Sequence, residues 1–463
     1  MTRLRTSVTL SIGAVLLLPL LAVSSCSTEA PTSPGVPIDA ARAAPTTAPT
    51  VTATDPDTGF RSTTIDVRVI GSGFDAGSRA IWGLKGDTTF ATTRIKTNST
   101  RYVKSTELVA SITIAADAPL DRFDVVVVTS KGKKGIGIER FTVTYQIVDL
   151  GTLGGLRSVA LAVNDLNQVV GWSETATGER HAFLWTEATG MRDLGTLGAA
   201  PSEARGINNA GEVVGFSATP SVWRRGFRWT ATGGMQPFDP LFSNASEIFA
   251  LNSNGEVAGW ADTIKSTGTF RHPTIWTGQG RESLGDRFAE VRGLNTVGQA
   301  VGYVSSPVGS SPPPIAALWT RSGSVWNMQE LFPRDGRDSQ AGDINELGEV
   351  VGAYRRGTGG YVGFVRASTG AIDTVTPLVA GANTNATAIN DNGLVAGFSY
   401  GSSSNFRSAV LWSRIGETGW KIRELPVLRQ GDSEALAINA RGEMAGYSSL
   451  PRSAVHAVLW RLQ

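Results

Sequence analysis

Four glutamates stand in register along the chain. Glu203, Glu247, Glu290 and Glu434 each lie five residues before an asparagine: Asn208, Asn252, Asn295 and Asn439. Two further copies of the position hold Gln340 and Asn385, and one holds Val159. Acids and amides gathered around one opening offer oxygen ligands to a cation and hydrogen bonds to a hydroxyl-rich molecule. The same groups can instead serve the fold. Each Glu can accept hydrogen bonds from the neighbouring unit or pair with Arg205 or Arg292 two residues on. The four glutamates are therefore the candidate ligand-binding residues, with a structural ion pair as the competing reading.

Other chemistry is harder to assemble. His181, His272 and His456 share one repeat position, occupied by Arg225, Ile315, Val362 and Ser408 in the remaining copies. Equivalent positions of a repeat array are spread apart, so three such histidines cannot converge on a metal or a substrate. The sequence holds no GxSxG in an elbow context, no HExxH and no phosphate-binding loop. Asn390-Asp391-Asn392-Gly393 has the outline of a calcium loop, but six sister turns share its shape without its acids, which favours turn chemistry. No catalytic residue, metal or cofactor is expected.

The elements that must position the glutamates come from a repeat. One asparagine recurs at Asn164, Asn208, Asn252, Asn295, Asn345, Asn390 and Asn439, with spacings of 44, 44, 43, 50, 45 and 49. A tryptophan recurs at Trp185, Trp229, Trp276, Trp319, Trp412 and Trp460, with Arg366 in its place in the fifth copy. Within a copy, ALAVN (Ala160–Asn164) reads as a first strand and NDLNQ as a tight turn. VVGW (Val169–Trp172) follows as the second strand, HAFLW (His181–Trp185) as the third and a DLG run as the fourth. Four short strands in a period in the forties predict a propeller blade. The fold class expected is all-β: a seven-bladed β-propeller over 145–463.

The array starts on a fourth strand, YQIVDLG (Tyr145–Gly151), and stops on a third strand, HAVLW (His456–Trp460). Pairing the two completes the seventh blade and leaves no open sheet edge between first and last blades. The Trp register and the aromatic after VVG (Trp172, Phe216, Trp260, Tyr303, Phe398, Tyr447) are read as packing between blades. The first strand lies innermost, so its start places an acid or amide around one mouth of the channel in six of seven blades.

Charged residues make up 18% of the 463, Gly is frequent at 54, and no long amphipathic helical period occurs, which is an all-β composition. The net charge is +2, but Arg3 and Arg5 belong to the leader, and removing them leaves 40 basic and 40 acidic residues. A neutral body carries no footprint for nucleic acid. The short run Lys131–Lys134 reads as a solvated hairpin tip. Residues 1–25 read as a signal peptide: the two arginines, then an apolar stretch from Ile12 to Val23 too short to span a bilayer. Residues 26–49 follow as a Pro/Thr/Ala-rich tether with too little apolar surface to order itself.

Three resemblances add to this. Val23-Ser24-Ser25-Cys26 resembles the lipobox of bacterial lipoproteins, although Val23 stands where Leu is usual. The resemblance implies lipid attachment at Cys26, the only cysteine, and anchoring of an exported protein in the outer membrane or at the cell surface. Residues 50–144 resemble the IPT/TIG immunoglobulin-like domain, on Gly71-Ser72-Gly73-Phe74, Leu108-x-Ala110-x-Ile112 and the Asp124 strand. That implies a small β-sandwich used as a spacer. DLGTLGG, VNDLNQVVGWS and HAFLW together resemble the extracellular HAF repeat, which implies an exported, surface-associated protein and no particular activity. The expectation is a monomeric, non-enzymatic envelope lipoprotein that binds an unknown protein or glycan through a propeller face. The alternatives are a lectin-like glycan binder and a polysaccharide-active enzyme with acids at the channel mouth.

Overall fold

The period-two alternation and the turn signals resolve into strands throughout. A computed structural model describes residues 47–462 except 88, 91–93, 239–244, 266–267, 279, 286–287, 306–312, 335–336, 358, 402–405 and 417–418. The leader, Cys26 and residues 26–46 of the tether lie outside the described residues. Among the described residues there is no α-helix, only one 3-10 turn at Pro451–Ser453.

Residues 50–143 form two four-stranded sheets around one core. One sheet orders Thr50–Asp55, Thr64–Ser72, Glu107–Ile114 and Ile95–Lys104; the other orders Thr58–Gly59, Lys134–Val143, Arg122–Val128 and Arg79–Leu84. Strand Glu107–Ile114 alternates half-buried and buried residues, so Leu108, Ala110 and Ile112 fill the gap between the sheets with Trp82 and Phe141. Lys131 lies in the exposed turn between Arg122–Val128 and Lys134–Val143.

The rest of the chain makes further four-stranded antiparallel sheets, one per repeat. The first repeat contributes Gly154–Val163, Val169–Thr175, Arg180–Thr186 and Gly190–Asp193. The seventh has only Ser433–Ile438, Met444–Ser449 and Val455–Arg461, and its fourth strand is Gln146–Asp149 from the start of the array, with Asp149 opposite Val458 and Ile147 opposite Trp460. A parallel bridge between Arg157 and Val455 joins this sheet to that of the first repeat. Ala445, Ala457 and Leu459 of the last repeat also share one apolar cluster with Ala160, Val169 and Trp185 of the first.

The repeat markers now acquire causes. Each marker asparagine closes its own turn. The Oδ1 of Asn345 accepts from the Leu347 and Glu349 N–H at 3.1 and 2.9 Å, and its Nδ2 donates to the Asn390 carbonyl of the next repeat at 3.1 Å. Equivalent donations run from Asn164 to Asn208, Asn252 to Asn295, Asn295 to Asn345 and Asn390 to Asn439. Asn439 donates back to Asn164 at 3.1 Å. A second set of links between repeats uses a buried hydroxyl, with Ala289 in its place in the fourth repeat. Ser202 Oγ accepts from the Ala182 N–H of the preceding repeat at 2.8 Å, and Ser158 accepts from Ala457 across the first and last repeats at 2.8 Å.

The glycine of VVG answers to a bulge. In every first strand the register slips by one residue, between Ala204 and Gly206 for example. The slip drives a carbonyl toward the second strand: a Cβ on Gly215 would sit 2.0 Å from the Glu203 oxygen, and one on Gly171 would sit 1.9 Å from that of Val159. The marker tryptophans are buried, from 7% exposed at Trp185 to 0% at Trp412 and Trp460, each contributing a few kcal/mol of apolar burial.

Residues 47–463 form one compact unit. Leu120 of the two-sheet domain packs against the cluster shared by the sixth and seventh repeats. Lys421 Nζ bonds Asp121 at 2.7 Å, and the buried Tyr145 hydroxyl donates to the Gly442 carbonyl at 3.1 Å. Burial pushes the Tyr145 phenol up to about 12.

Candidate functional site: a cavity enclosed by the seven first strands

The bulge in each first strand leaves one residue outside the ladder: Leu161, Arg205, Phe249, Arg292, Gly342, Thr387 and Leu436. All seven line a single cavity of about 770 Å³. The wall is uneven. Arg205 and Arg292 flank Phe249, and a glycine, Gly342, follows in the fifth repeat. There the cavity widens between the fifth and sixth repeats, where it is lined by Ala353, Tyr361, Asn383, Asn385, Phe398 and Tyr400. The cause is in the second strand. Six repeats carry an aromatic after the VVG-type run, whereas the fifth carries Ala353.

The four glutamates sit at the start of these strands, and each is buried: 6% exposed at Glu203, 0% at Glu247, 8% at Glu290 and 8% at Glu434. Each meets an arginine at or near the start of the third strand of the preceding repeat. Arg180 Nη1 donates to Glu203 at 2.7 Å and Arg271 to Glu290 at 2.9 Å; Arg224 bonds Glu247, and Arg407 forms an ion pair with Glu434. Arg205 Nη2 also lies 3.0 Å from Glu203 and 2.9 Å from Glu247. The second contact is not aligned as a hydrogen bond, since Glu247 Oε1 has no such partner, so its pull is coulombic. Burial pushes the Glu247 and Glu434 carboxyls up, and the neighbouring arginines oppose it by favouring the charged form. The arginines stack on aromatics of the second strand, Arg180 at 3.9 Å from the ring centre of the half-buried Trp172 and Arg271 at 3.6 Å from that of the buried Trp260.

Arg180, Arg224, Arg271 and Arg407 pair with the four glutamates, and Arg271 and Arg407 also stand 3.6 Å from Asp262 and 3.7 Å from Asp432. Arg205 and Arg292 stand on the cavity wall itself. Arg292 donates to the neutral Gln340 at 3.1 Å and stands 3.7 Å from Glu290. Among the described residues, Asp343 is the one carboxylate lining the cavity. It occupies a position that is Ala or Gly in every other repeat and accepts from the Ile389 and Ile344 N–H at 3.0 and 2.8 Å. Desolvation nevertheless pushes it up to about 6. Tyr361 is fixed by a hydrogen bond to Asp338, which also raises its phenol.

The histidines stay apart in three different repeats. His181 bonds Asp193 at 2.8 Å and His456 bonds Asp149 at 2.9 Å, each reaching from a third strand to a fourth, and His272 meets the Gly285 carbonyl at 3.3 Å. No group of three or more His, Cys, Asp or Glu suited to a metal occurs among the described residues.

Reading the sequence missed the third-strand arginines, although a signal was present. Arg180, Arg224, Arg271 and Arg407 precede the four repeats that carry Glu, whereas Pro314, Tyr361 and Val455 precede those that carry Gln340, Asn385 and Val159. Within one chain, the pair is charged together or neutral together in all seven junctions.

No family model matches the chain, and no curated protein matches it. Solved structures of similar fold include TolB from Acinetobacter baumannii, at 11% identity and TM-score 0.40, covering 68% of this chain and 78% of that one. Virginiamycin B lyase from Staphylococcus aureus aligns at 12% identity and TM-score 0.43, covering 68% of this chain and 100% of that one. The Aleuria aurantia lectin aligns at 11% identity and TM-score 0.32, covering 61% of this chain and 96% of that one. All three are β-propeller proteins. Likeness of this degree carries no ligand or activity to the chain.

Proposed function

We propose that the chain is a non-enzymatic lipoprotein of the cell envelope that binds a ligand in the mouth of a seven-bladed propeller. The observation that carries this reading is the single cavity enclosed by all seven first strands and opened on one side by Ala353. The propeller itself is supported by the asparagine and serine links between repeats and by the pairing of Gln146–Asp149 with Val455–Arg461. A binding role fits the wall better than hydrolysis, because the four mouth glutamates are held in ion pairs and one carboxylate, Asp343, remains on the lining. In this reading Glu203, Glu247, Glu290 and Glu434 shape the site by holding the arginines rather than by touching the ligand. The IPT/TIG-like sandwich of residues 50–144 is a pedestal between membrane tether and ring, consistent with its contact through Asp121 and Lys421.

The glycan-binding alternative is favoured over a protein partner by the concave shape and by the amides and tyrosines on the lining. Two experiments test the proposal. Screening the full chain and its Ala353→Trp variant against glycan and envelope-protein panels should yield a ligand that the variant loses; ligands retained equally by both refute a site in this cavity. Replacing Cys26 with Ser should release the protein from the membrane fraction and abolish incorporation of labelled fatty acid, and retention of both refutes the anchor.

A further inference from the structure

Resting on the reading of the mouth as a recognition site, we infer that the cavity binds a saccharide unit bearing one carboxylate, a uronate, with the carboxylate on Arg292. Space, donors and charge point the same way. The fifth repeat has lost two side chains that its sisters keep. Gly342 stands at the bulge and Ala353 stands opposite Gln340, where other repeats place an aromatic. The opening is therefore local to one side of the ring, and it takes one ligand rather than seven.

Its lining suits a hydroxylated ring. Asn385 occupies the position where four other repeats hold a paired glutamate, and its amide has no partner among the described residues. Tyr361, 38% exposed, and Tyr400 supply flat apolar faces at the rim. The charge decides between anions. The side chains lining the cavity include two cations, Arg205 and Arg292, and one carboxylate, Asp343. Arg205 is already bracketed by Glu203 and Glu247 at 3.0 and 2.9 Å, whereas Arg292 has the neutral Gln340 amide at 3.1 Å and its one carboxylate, Glu290, only at 3.7 Å. A wall with one surplus positive charge fits a monoanion. A phosphate dianion would face Asp343 unrelieved. A guanidinium binds a carboxylate in bidentate fashion, so Arg292 gives the carboxylate a defined place.

The test is calorimetric titration of the full chain with D-glucuronate, a tetragalacturonate, D-glucose and inorganic phosphate. Both uronates should bind, with glucose and phosphate weaker by about tenfold or more. Tighter binding of the tetramer than of the monomer marks a polymer as the source, and equal binding marks a free sugar acid. Arg292→Gln should erase the preference for uronate over glucose. Ala353→Trp, which restores the residue type of the first and third repeats, should abolish all binding while the urea midpoint stays within error of wild type. Glucose or phosphate binding as well as glucuronate overturns the carboxylate assignment. If a neutral sugar binds and is lost in Ala353→Trp, the recognition site stands and the uronate falls. If glucuronate binds Ala353→Trp unchanged, or no probe binds at millimolar concentration, the inference falls outright. If the panels also yield no ligand that Ala353→Trp loses, the recognition reading falls as well.

Discussion

Replacing Glu247 with Gln isolates the ion-pair layer beneath the cavity. Glu247 is fully buried, with Arg205 Nη2 at 2.9 Å from one oxygen and Arg224 bonded to the other. Breaking a buried pair by removing one partner costs about 3–5 kcal/mol. Two features lower that figure here. Arg205 keeps Glu203 at 3.0 Å, and the Arg224 side chain is 38% exposed and stacks near the Phe216 ring at 4.8 Å. The expected loss is therefore about 2–3 kcal/mol. Glu203→Gln is the internal control. Its partner Arg180 is 43% exposed and lies over Trp172, and Arg205 retains Glu247. The expected loss there is about 1 kcal/mol or less. Urea unfolding followed by tryptophan fluorescence at constant ionic strength reads both, since guanidinium salts would screen the interaction under test. Adding Arg224→Gln to Glu247→Gln should recover part of the loss, because the unpaired cation goes with it. A Glu247→Gln midpoint equal to wild type, or a larger loss from Glu203→Gln, refutes the argument. Unchanged stability with lost ligand affinity would move Glu247 from scaffold to binding group.

Further expectations concern the closure and the wall. Asn345→Asp turns a donor into a carboxylate facing the Asn390 carbonyl and Glu349 Oε2, now 3.1 and 2.9 Å from Nδ2. It should cost about 2–4 kcal/mol at neutral pH and recover partly near pH 4, where one of the two carboxyls carries a proton to donate; a pH-independent loss in urea unfolding counts against it. Asp343→Asn should stabilise the protein at pH 7 by about 1–3 kcal/mol while keeping the acceptor for Ile389. The sign follows from a native pKa of about 6 against an ordinary 3.8. The native state takes up a proton before the unfolded chain does, so wild-type stability rises as pH falls from about 6 toward 4, and the advantage of the variant fades over that window. A constant difference from pH 7 to pH 4 refutes the assignment. Lys421→Ala, which removes an exposed pair with Asp121, should shift stability by under about 1 kcal/mol, because Leu120 and Tyr145 hold the contact.

Much of the architecture was legible along the chain, for a physical reason. A repeat states its own boundaries, since each copy must bury the same faces against its neighbours. Seven asparagines, six tryptophans and the alternation of ALAVN place the strands and name the strand that Tyr145–Gly151 lends to the last sheet. The glutamate register was legible too, and so was its competing explanation as a partner for arginine. What linear reading could not supply was depth. Whether Glu247 faces ligand or guanidinium depends on Arg224, 23 residues away, and on the burial of both by the neighbouring sheet. The third-strand arginines were visible as letters, but their correlation with the next repeat's glutamate gains meaning only when the two strands lie side by side. The cavity belongs wholly to the tertiary structure. A bulge turns one residue per first strand inward, and Gly342 and Ala353 leave space only because the ring brings the fifth and sixth repeats face to face. Local sequence determines which residues can share a strand and a face. Only the packing of sheet on sheet determines which of those faces remains open to a ligand.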